Sequence, residues 1–298
     1  MRADSGRRFC FIFNPSADRR RSSRHIQLLK DFIEEQNNAS ELWIADKVGD
    51  LRIMAAKAAV SFDVIVACGG DGTIREIVQG VGRDKVILGV VPTGSGNDFV
   101  KSLGIPKDIR KALLLLKEGK LKNVDIGYIQ EDPFINTLGI GFDGLTNYYA
   151  SKCKWLRGEL LYVWAALKAM FRYRSPFFQL QIDDQRIEKK LLMVTIANGK
   201  VEGGTFWIAP DANISDGLLD VVVVDAIKRW LLPYYLLKIK KPDYPPLRPV
   251  MRFKAKKIQI EISHPVMVHA DGEVYSKNIS KLNVQVMEHK IPFICGEC

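Results

Sequence analysis

Residues 63–73 read DVIVACGGDGT and decide the architecture of the first half of the chain. The apolar run predicts a buried strand over residues 63–67, and the glycines after it lead into a segment with helical periodicity. Glycines let the backbone approach a ligand closely, and the free N–H groups that open a helix attract an anion. A capped strand-to-helix turn is the alternative. Three glycines beside Asp71 and Thr73 favour a phosphate site at the end of a parallel strand.

The alternation of strand and helix continues on both sides of this stretch. Strands are predicted over residues 8–13, 42–45, 63–67 and 86–91, and helices over 23–35, 51–60, 74–81, 97–103 and 109–118. This order predicts a parallel sheet with helices on both faces.

The pattern changes after Val124, where strand-like runs follow one another. They cover residues 125–129, 134–138, 177–183, 191–197, 218–224, 256–262, 266–270 and 282–286, with helical segments over 146–173 and 227–239. Consecutive strands predict an antiparallel sandwich or barrel. We therefore expect an α/β domain over residues 1–125 and a β-rich domain over 126–287; the family resemblance described below makes the first a nucleotide-binding domain and the second a lipid-substrate domain. The tail, residues 288–298, is expected to pack back on the first domain.

The composition is that of a globular protein with an excess of positive charge. The 298 residues include 44 Lys+Arg and 34 Asp+Glu, for a net charge of +10, and 47% are hydrophobic. Disorder and coiled coil are excluded as the main organisation. No run approaches the ~18 apolar residues of a membrane span, and five cysteines in a long chain indicate a reducing cytoplasm. The charge alone leaves a nucleic acid, a nucleotide or an acidic membrane open as partner.

Two further turns belong with the first one. Residues 92–98 read PTGSGND, another glycine-rich turn that leads from a strand into a helix. The first strand ends in Asn14-Pro15-Ser16, and several arginines follow it. The ends of parallel strands meet at one edge of the sheet, so these turns predict a nucleotide site there. No GxxxxGK[ST] string occurs, which excludes a Walker-type loop.

These motifs, in this order, resemble the diacylglycerol kinase catalytic-domain family, which includes bacterial lipid kinases and the sphingosine kinases. The resemblance spans roughly residues 8–290. It rests on NPxxxxR from Asn14, GGDGT at 69–73, PTGSGNDF at 92–99, VDIG at 124–127, NTLGIGFD at 136–143, ANG at 197–199, APDA at 209–212, DGLLD at 216–220 and DGE at 271–273. GGDGT alone is shared with NAD kinases, whereas the full series is specific.

The resemblance implies an α/β first domain with a parallel sheet, of the NAD-kinase and diacylglycerol-kinase type, and a mostly antiparallel β-sandwich second domain. It implies an ATP- and Mg-dependent lipid kinase that phosphorylates a hydroxyl of diacylglycerol or a related lipid. The implied ATP contacts are Asn14, Pro15, Ser16, Gly70, Asp71, Gly72, Thr73, Glu76 and Ser95. The implied catalytic acids are Asp71, Asp98 and Asp125 around magnesium, and Asp271 as general base with Glu273 beside it. A structural metal is implied at Asp216, with backbone carbonyls of Asn213 and Leu218.

Two other functions fit parts of the sequence. A kinase of a soluble acceptor such as NAD shares GGDGT and the domain plan, but the DGE and GFD motifs favour the lipid class. A basic membrane- or nucleic-acid-binding module leaves the set of acids unexplained, since carboxylates repel phosphates unless a metal intervenes. Nucleic acid is therefore not expected as a partner. The four histidines lack metal-ligand spacing, so hydrogen-bonded structural roles are expected for them.

Two basic segments with aromatic residues suggest how a lipid is reached. One runs from Lys152 to Arg157 and on to Arg174, and the other from Lys228 to Lys241. Trp with Lys or Arg suits the headgroup layer of an anionic membrane. Amphipathic helices that cover a sheet would have the same pattern. We expect a cytoplasmic protein that is peripherally associated with the membrane, and the sequence leaves a homodimer open.

Overall fold

The computed structural model describes residues 6–18, 20–36, 40–47, 49–94, 96–153, 155–156 and 158–296. The chain divides into two compact units, Met1–Val124 with His289–Cys298, and Asp125–Glu288. The elements in chain order are β1 (Phe9–Phe13), α1 (Ser22–Gln36), β2 (Glu41–Ile44), α2 (Asp50–Ser61), β3 (Val64–Gly69), α3 (Asp71–Val81), β4 (Ile87–Pro92), α4 (Phe99–Ser102), α5 (Ile109–Glu118), β5 (Lys120–Val124), β6 (Gly127–Ile129), β7 (Asp132–Phe134), β8 (Thr137–Gly141), α6 (Phe142–Lys152), α7 (Gly158–Arg172), β9 (Phe177–Ile182), β10 (Gln185–Ala197), β11 (Leu219–Asp225), a 3-10 turn (Arg229–Leu231), α8 (Leu232–Lys238), β12 (Val250–Ala255), β13 (Lys257–Ala270), β14 (Glu273–Val286) and β15 (Ile291–Cys295).

The first unit is built on a six-stranded sheet in the order β2-β1-β3-β4-β15-β5. Neighbouring strands are parallel from β2 to β15, and only β5 pairs antiparallel at the edge. The central strands are buried along their whole length. Such continuous apolar strands are expected where helices cover both faces of a sheet. The carboxyl ends of β1, β3 and β4 therefore lie side by side, which positions the turns that follow them.

The second unit holds a nine-stranded antiparallel sheet in the order β12-β11-β10-β8-β13-β14-β6-β7, with β9 paired to both β10 and β13. β8 pairs with the C-terminal halves of β10 and β13, whereas β9 pairs with their N-terminal halves. Each of the long strands β10 and β13 thus changes its partner along its length. The sheet folds over a core that includes Phe134, Phe178 and Ile260. The α/β first domain and the sandwich-like second domain confirm the predicted fold class.

The structure corrects several predicted elements. The helix expected over residues 146–173 is two helices, α6 and α7, and α6 begins at Phe142, inside the GFD motif. Residues 257–270 form one strand that is irregular near Ser263–Pro265, rather than two strands. Strands β5, β12 and β15 were not predicted. β5 and β12 are only partly buried, so their apolar pattern is weak.

Among the described residues, no helix combines the length and the apolar character that crossing a bilayer requires.

Candidate active site

Two glycine-rich turns of the first unit touch each other. The turn after β3 contains Gly70, and the turn after β4 contains Gly94. The N–H groups of Thr93 and Gly94 donate to the carbonyl of Gly69 at 3.1 and 3.2 Å. A Cβ on Gly94 would lie only 2.5 Å from the Cα of Gly70. The backbone of Gly70 leaves no room for a side chain at Gly94. The two turns therefore form one continuous backbone surface, called the glycine floor below.

Asp71 joins the two turns through its side chain. Its Oδ2 accepts the N–H of Asp98 and its Oδ1 accepts the N–H of Phe99, both at 2.9 Å. Asp98 is buried and its Oδ1 lies 2.8 Å from Nζ of Lys101. The structure therefore brings together two of the predicted magnesium-organising acids. Each oxygen of Asp71 accepts one backbone N–H group.

Asn14 ties the end of β1 to the same region. Its Nδ2 donates to Oγ1 of Thr73 at 2.9 Å, and its Oδ1 accepts the N–H of Ser16 at 3.0 Å. Asn14 N–H also donates to the carbonyl of Cys68. Gly72 and Glu76 lie in the first turns of α3, and Pro15 lies beside Asn14. The predicted ATP contacts are thus gathered at the ends of β1 and β3, apart from Ser95, which lies outside the described residues.

Two residues of the second glycine-rich turn, which were not named individually as ATP contacts, have unpaired polar atoms here. Asn97 is buried, has a positive φ of 54°, and its Oδ1 makes no hydrogen bond. Oγ1 of Thr93 is equally buried and without a hydrogen bond. Buried polar atoms without partners cost ~1–3 kcal/mol each, so they mark a place where a ligand or water completes the structure. With the glycine floor beside them, these atoms fit a nucleotide. An Asn next to Gly in a turn was the signal available in the sequence.

Asp125, the third predicted magnesium acid, lies in the second unit. Its side chain is fully buried, and its Oδ2 accepts the N–H of Gly217 at 2.7 Å. Nδ2 of Asn198 donates to the carbonyls of Asp125 and Ile135. Asp125 therefore fixes the loop that carries the predicted structural-metal ligands.

In that loop, Asp216 already has a cationic partner. Its Oδ2 lies 2.6 Å from Nζ of Lys254, and its Oδ1 accepts the N–H of Leu218 at 3.1 Å. Lys254 also lies 3.5 Å from Oδ2 of Asp220. Oδ1 of Asn213 accepts the N–H and hydroxyl of Ser215. A metal at Asp216 would share the carboxylate with Lys254.

Asp271 and Gly272 form the two-residue turn between β13 and β14. Both have positive φ, 50° and 79°, as expected for an Asp-Gly hairpin. The carboxylate of Asp271 accepts three backbone N–H groups, from Ile135 at 2.9 Å, Asn136 at 2.8 Å and Thr137 at 3.1 Å. The predicted base thus has a structural task as well. Glu273, its predicted neighbour, is exposed.

An apolar pocket with a cavity volume of about 110 Å³ opens in the second unit. Helices α6, α7 and α8 and strands β10 and β11 form its walls; the lining includes Phe142, Tyr162, Leu192, Val224, Leu232 and Leu236. Asp143, Thr146 and Glu202 are polar residues of the lining. The pocket suits a hydrocarbon chain with a polar group at one side.

His269 lies behind the acids of this pocket. Its Nε2 is 2.9 Å from Oε1 of Glu202 and 3.4 Å from Oδ1 of Asp143. Burial lowers the pKa of His269, but the charges of Glu202 and Asp143 outweigh it and hold the pKa well above the usual value. Burial raises the pKa of Asp143, yet the charge of His269 brings it below its ordinary value. The sequence analysis missed this cluster because its members are separated by 59 and 67 positions.

Large apolar side chains are exposed on the helices around the pocket and on the segments that adjoin them. Trp155, Leu160, Phe171, Trp230 and Leu237 are each about 70% exposed. Arg229 holds the 3-10 turn against α7 through the carbonyls of Phe171 and Tyr173. Lys154 and Arg157 of the first basic segment lie outside the described residues.

Comparisons with known proteins agree with this layout. Residues 8–129 match the family described as diacylglycerol kinase catalytic domain, and residues 136–288 match the one described as YegS C-terminal NAD kinase beta sandwich-like domain. A diacylglycerol kinase of Mycobacterium tuberculosis (strain H37Rv) is 31% identical over 228 residues, 74% of each chain. One of Bacillus subtilis (strain 168) is 27% identical over 267 residues, 88% of each chain.

A solved structure of a diacylglycerol kinase from Bacillus anthracis str. Sterne has the same fold, with a TM-score of 0.78, 22% identity and 97% of each chain covered. The family resemblance derived from the motifs is confirmed. The chain belongs to the diacylglycerol kinase catalytic-domain family, and it is a phosphotransferase that acts on an alcohol group.

Proposed function

We propose that this protein is an ATP- and Mg-dependent lipid kinase that phosphorylates a hydroxyl of diacylglycerol or a related lipid. The observation that carries the proposal is the apolar pocket between α6, α7, α8 and the sheet. A soluble, polar acceptor would leave such walls without a partner, whereas an acyl chain would bury apolar surface at about 25 cal/mol per Å². The names of the curated relatives point to the same substrate class.

In this proposal the first unit holds ATP. The touching glycine turns at Gly70 and Gly94 supply a floor without side chains for the phosphates. Oδ1 of Asn97 and Oγ1 of Thr93 are free to pair with the nucleotide or its waters. Asp71 and Asp98 would hold magnesium or its water shell, and the ion would neutralise charge on the phosphates. We assign Asp125 to the same group of magnesium-organising acids because of its place in the series of family motifs.

The second unit holds the lipid acceptor and Asp271. As general base, Asp271 would take the proton of the acceptor hydroxyl as that oxygen forms its bond to phosphorus and the bond to the ADP oxygen breaks. The three N–H groups of residues 135–137 hold the carboxylate in one orientation. Asp216 with Asn213 and Leu218 would bind a structural cation that steadies the neighbouring loop.

We further propose that the exposed apolar residues around the pocket rest on an anionic membrane. Trp155 and Trp230 lie on the two basic segments that the sequence analysis singled out. Lys168 lies over the rings of Tyr149 and Trp164, at 4.7 and 4.8 Å, so its stem packs on aromatic surface. This combination of Trp, Lys and exposed apolar surface is typical of interfacial helices.

A kinase of NAD is the second candidate, because the description of the matched C-terminal family names an NAD kinase-like sandwich. A screen with labelled ATP decides between them. The purified protein is incubated with a panel of lipids in mixed micelles, and separately with NAD, with and without Mg²⁺. We expect label only in a lipid product and only with Mg²⁺. Label in NADP alone would overturn the proposal.

A further inference from the structure

We infer that Asp143, Glu202 and His269 form a divalent-cation site in the second unit. One ligand atom of each residue lies within 4.8 Å of the others. Nε2 of His269 is 2.9 Å from Oε1 of Glu202 and 3.4 Å from Oδ1 of Asp143. Metal bonds of about 2.1 Å at octahedral to tetrahedral angles separate ligand atoms by about 3.0–3.4 Å. The two distances from His269 therefore have about the spacing of neighbouring ligands around one ion.

The state of His269 is the independent observation. Its side chain is completely buried, yet neither ring nitrogen makes a hydrogen bond of acceptable geometry. Nε2 is close to two carboxylates without being aligned on either. An ordinary structural histidine in a core satisfies at least one nitrogen by a directed hydrogen bond.

Asp143 and Glu202 place two carboxylates beside an apolar pocket, and the described lining of that pocket contains neither lysine nor arginine. Carboxylate oxygens are common ligands of divalent cations.

The surroundings orient the ligands. Oγ1 of Thr195 donates to Oδ2 of Asp143 at 2.8 Å, which fixes that carboxylate. Gly139 lies beside the cluster, where a Cβ would overlap Nε2 of His269 and the carboxylate of Asp143. Metal-ligating side chains are commonly oriented by such outer hydrogen bonds.

The ligand types define the ion and what it could bind. One imidazole nitrogen with two carboxylates suits Zn²⁺ or Mn²⁺ better than Ca²⁺ or Mg²⁺. Three protein ligands leave at least one coordination position open. Because Asp143 and Glu202 line the pocket, that position would accept a carbonyl or hydroxyl oxygen of a molecule held there.

Crystals of the nucleotide-free full chain, soaked in MnCl₂, test the site without any substitution. We expect an anomalous peak at about 2.0–2.3 Å from the three ligand atoms. An anomalous peak at Asp216 alone, or no peak at all, overturns the inference. A His269 imidazolium that stays hydrogen-bonded to the carboxylates in the presence of Mn²⁺ overturns it as well.

Metal counting gives a second, independent readout. Asp143→Asn and His269→Ala should each lose one tightly bound Zn²⁺ per chain, and far-UV circular dichroism monitors whether they fold. His264→Ala is the matched control, since His264 is exposed on the same strand. Asp216→Asn should keep the ion. Equal Zn²⁺ content in wild type, folded Asp143→Asn and His264→Ala would contradict the assignment. Both experiments measure bound metal and not kinase activity. Their outcome is therefore independent of whether the proposed function is correct.

Discussion

Oδ1 of Asp271 accepts the backbone N–H of Asn136 at 2.8 Å, across 135 positions of the sequence. This bond and its two neighbours join the turn between β13 and β14 to the segment before β8. Asp271 is thus the proposed general base, and its carboxylate also holds the backbone of residues 135–137 in place. The two roles need separate measurements.

Asp271→Asn should lower both stability and turnover. The amide NH₂ would face one of the backbone N–H donors, and a lost bond with an unsatisfied donor costs about 1–3 kcal/mol. Loss of the base should reduce kcat by a further ~10²–10⁴ while the KM for ATP changes little. Denaturant unfolding and steady-state kinetics at a temperature where the variant is folded separate the effects.

Glu273→Gln is the control for Asp271, because Glu273 is exposed on the same hairpin. We expect nearly normal stability and turnover well above that of Asp271→Asn. A folded Asp271→Asn protein with close to wild-type turnover would leave Asp271 as a turn residue and the base unassigned.

Asp71→Asn should abolish most activity and also cost stability. Both oxygens of Asp71 accept backbone N–H groups, so one of these hydrogen bonds is replaced by a donor–donor contact in the variant. Asp108→Asn is the matched control, since Asp108 caps α5 through the N–H of Lys111. Asp108→Asn should lower the free energy of unfolding by the same amount as Asp71→Asn or by less, and it should keep its turnover. Comparable turnover of both variants at saturating Mg²⁺ would exclude Asp71 from the metal site.

The sequence predicted the parts of the fold that depend on local patterns. The buried strand before Gly69 and the helix after Asp71 follow from a short apolar run and a glycine turn. Strand β15 could not be predicted, because it is stabilised by pairing with β4 and β5 far away in the sequence. An Asp-Gly pair is typical of a two-residue hairpin turn, such as the one at Asp271. The hydrogen bonds of Asp271 to residues 135–137 depend on the tertiary fold instead.

The same limit applies to the candidate sites. The motifs gathered Asn14, Asp71 and Asp98, because each follows a parallel strand and those ends share an edge. The cluster of Asp143, Glu202 and His269 has no sequence signature, since three different elements bring it together. Only a folded structure shows that Nε2 of His269 faces two carboxylates.

A larger side chain in the pocket should change chain-length selectivity. Val224 lines the pocket and is partly exposed, so Val224→Phe has room to enter the cavity. We expect lower kcat/KM for long-chain diacylglycerol, by roughly tenfold for ~1.4 kcal/mol of lost contact, and a smaller loss for a short-chain analogue. Val60→Phe makes the same change on the exposed face of α2 and should leave both substrates unaffected. An equal loss for all chain lengths would argue against an acyl pocket.

Removing the exposed tryptophans should weaken membrane binding. Burying a large apolar side chain is worth about 1.5–3 kcal/mol, so Trp155→Ala with Trp230→Ala should reduce binding to anionic vesicles by at least about tenfold in sedimentation. Turnover on detergent-dispersed substrate should change little. Ile53→Ala with Val60→Ala removes exposed apolar groups from α2 and serves as control. Identical vesicle binding by the two double variants would place the membrane contact elsewhere.

His25 should make the first unit less stable as the pH falls. Burial lowers the pKa of His25 below 6.5, Asp18 partly opposes this, and Arg21 and Arg24 lower it further. Below pH ~6.5 the unfolded chain binds a proton that the folded chain resists, so the free energy of unfolding falls until the folded pKa is passed. His25→Gln should flatten this dependence between pH 7.5 and 5, measured by urea unfolding. His264→Gln, at an exposed position, should not, and equal slopes for all three proteins would refute the role of His25.

The central claim is that the acceptor is a lipid hydroxyl, and a competition in one tube tests it most directly. The full chain is given labelled ATP, Mg²⁺, diacylglycerol in mixed micelles and an equal concentration of NAD, and the products are separated. We predict that the label appears in phosphatidate and that Asp271→Asn removes it. Label in NADP with an unlabelled lipid fraction would contradict the account.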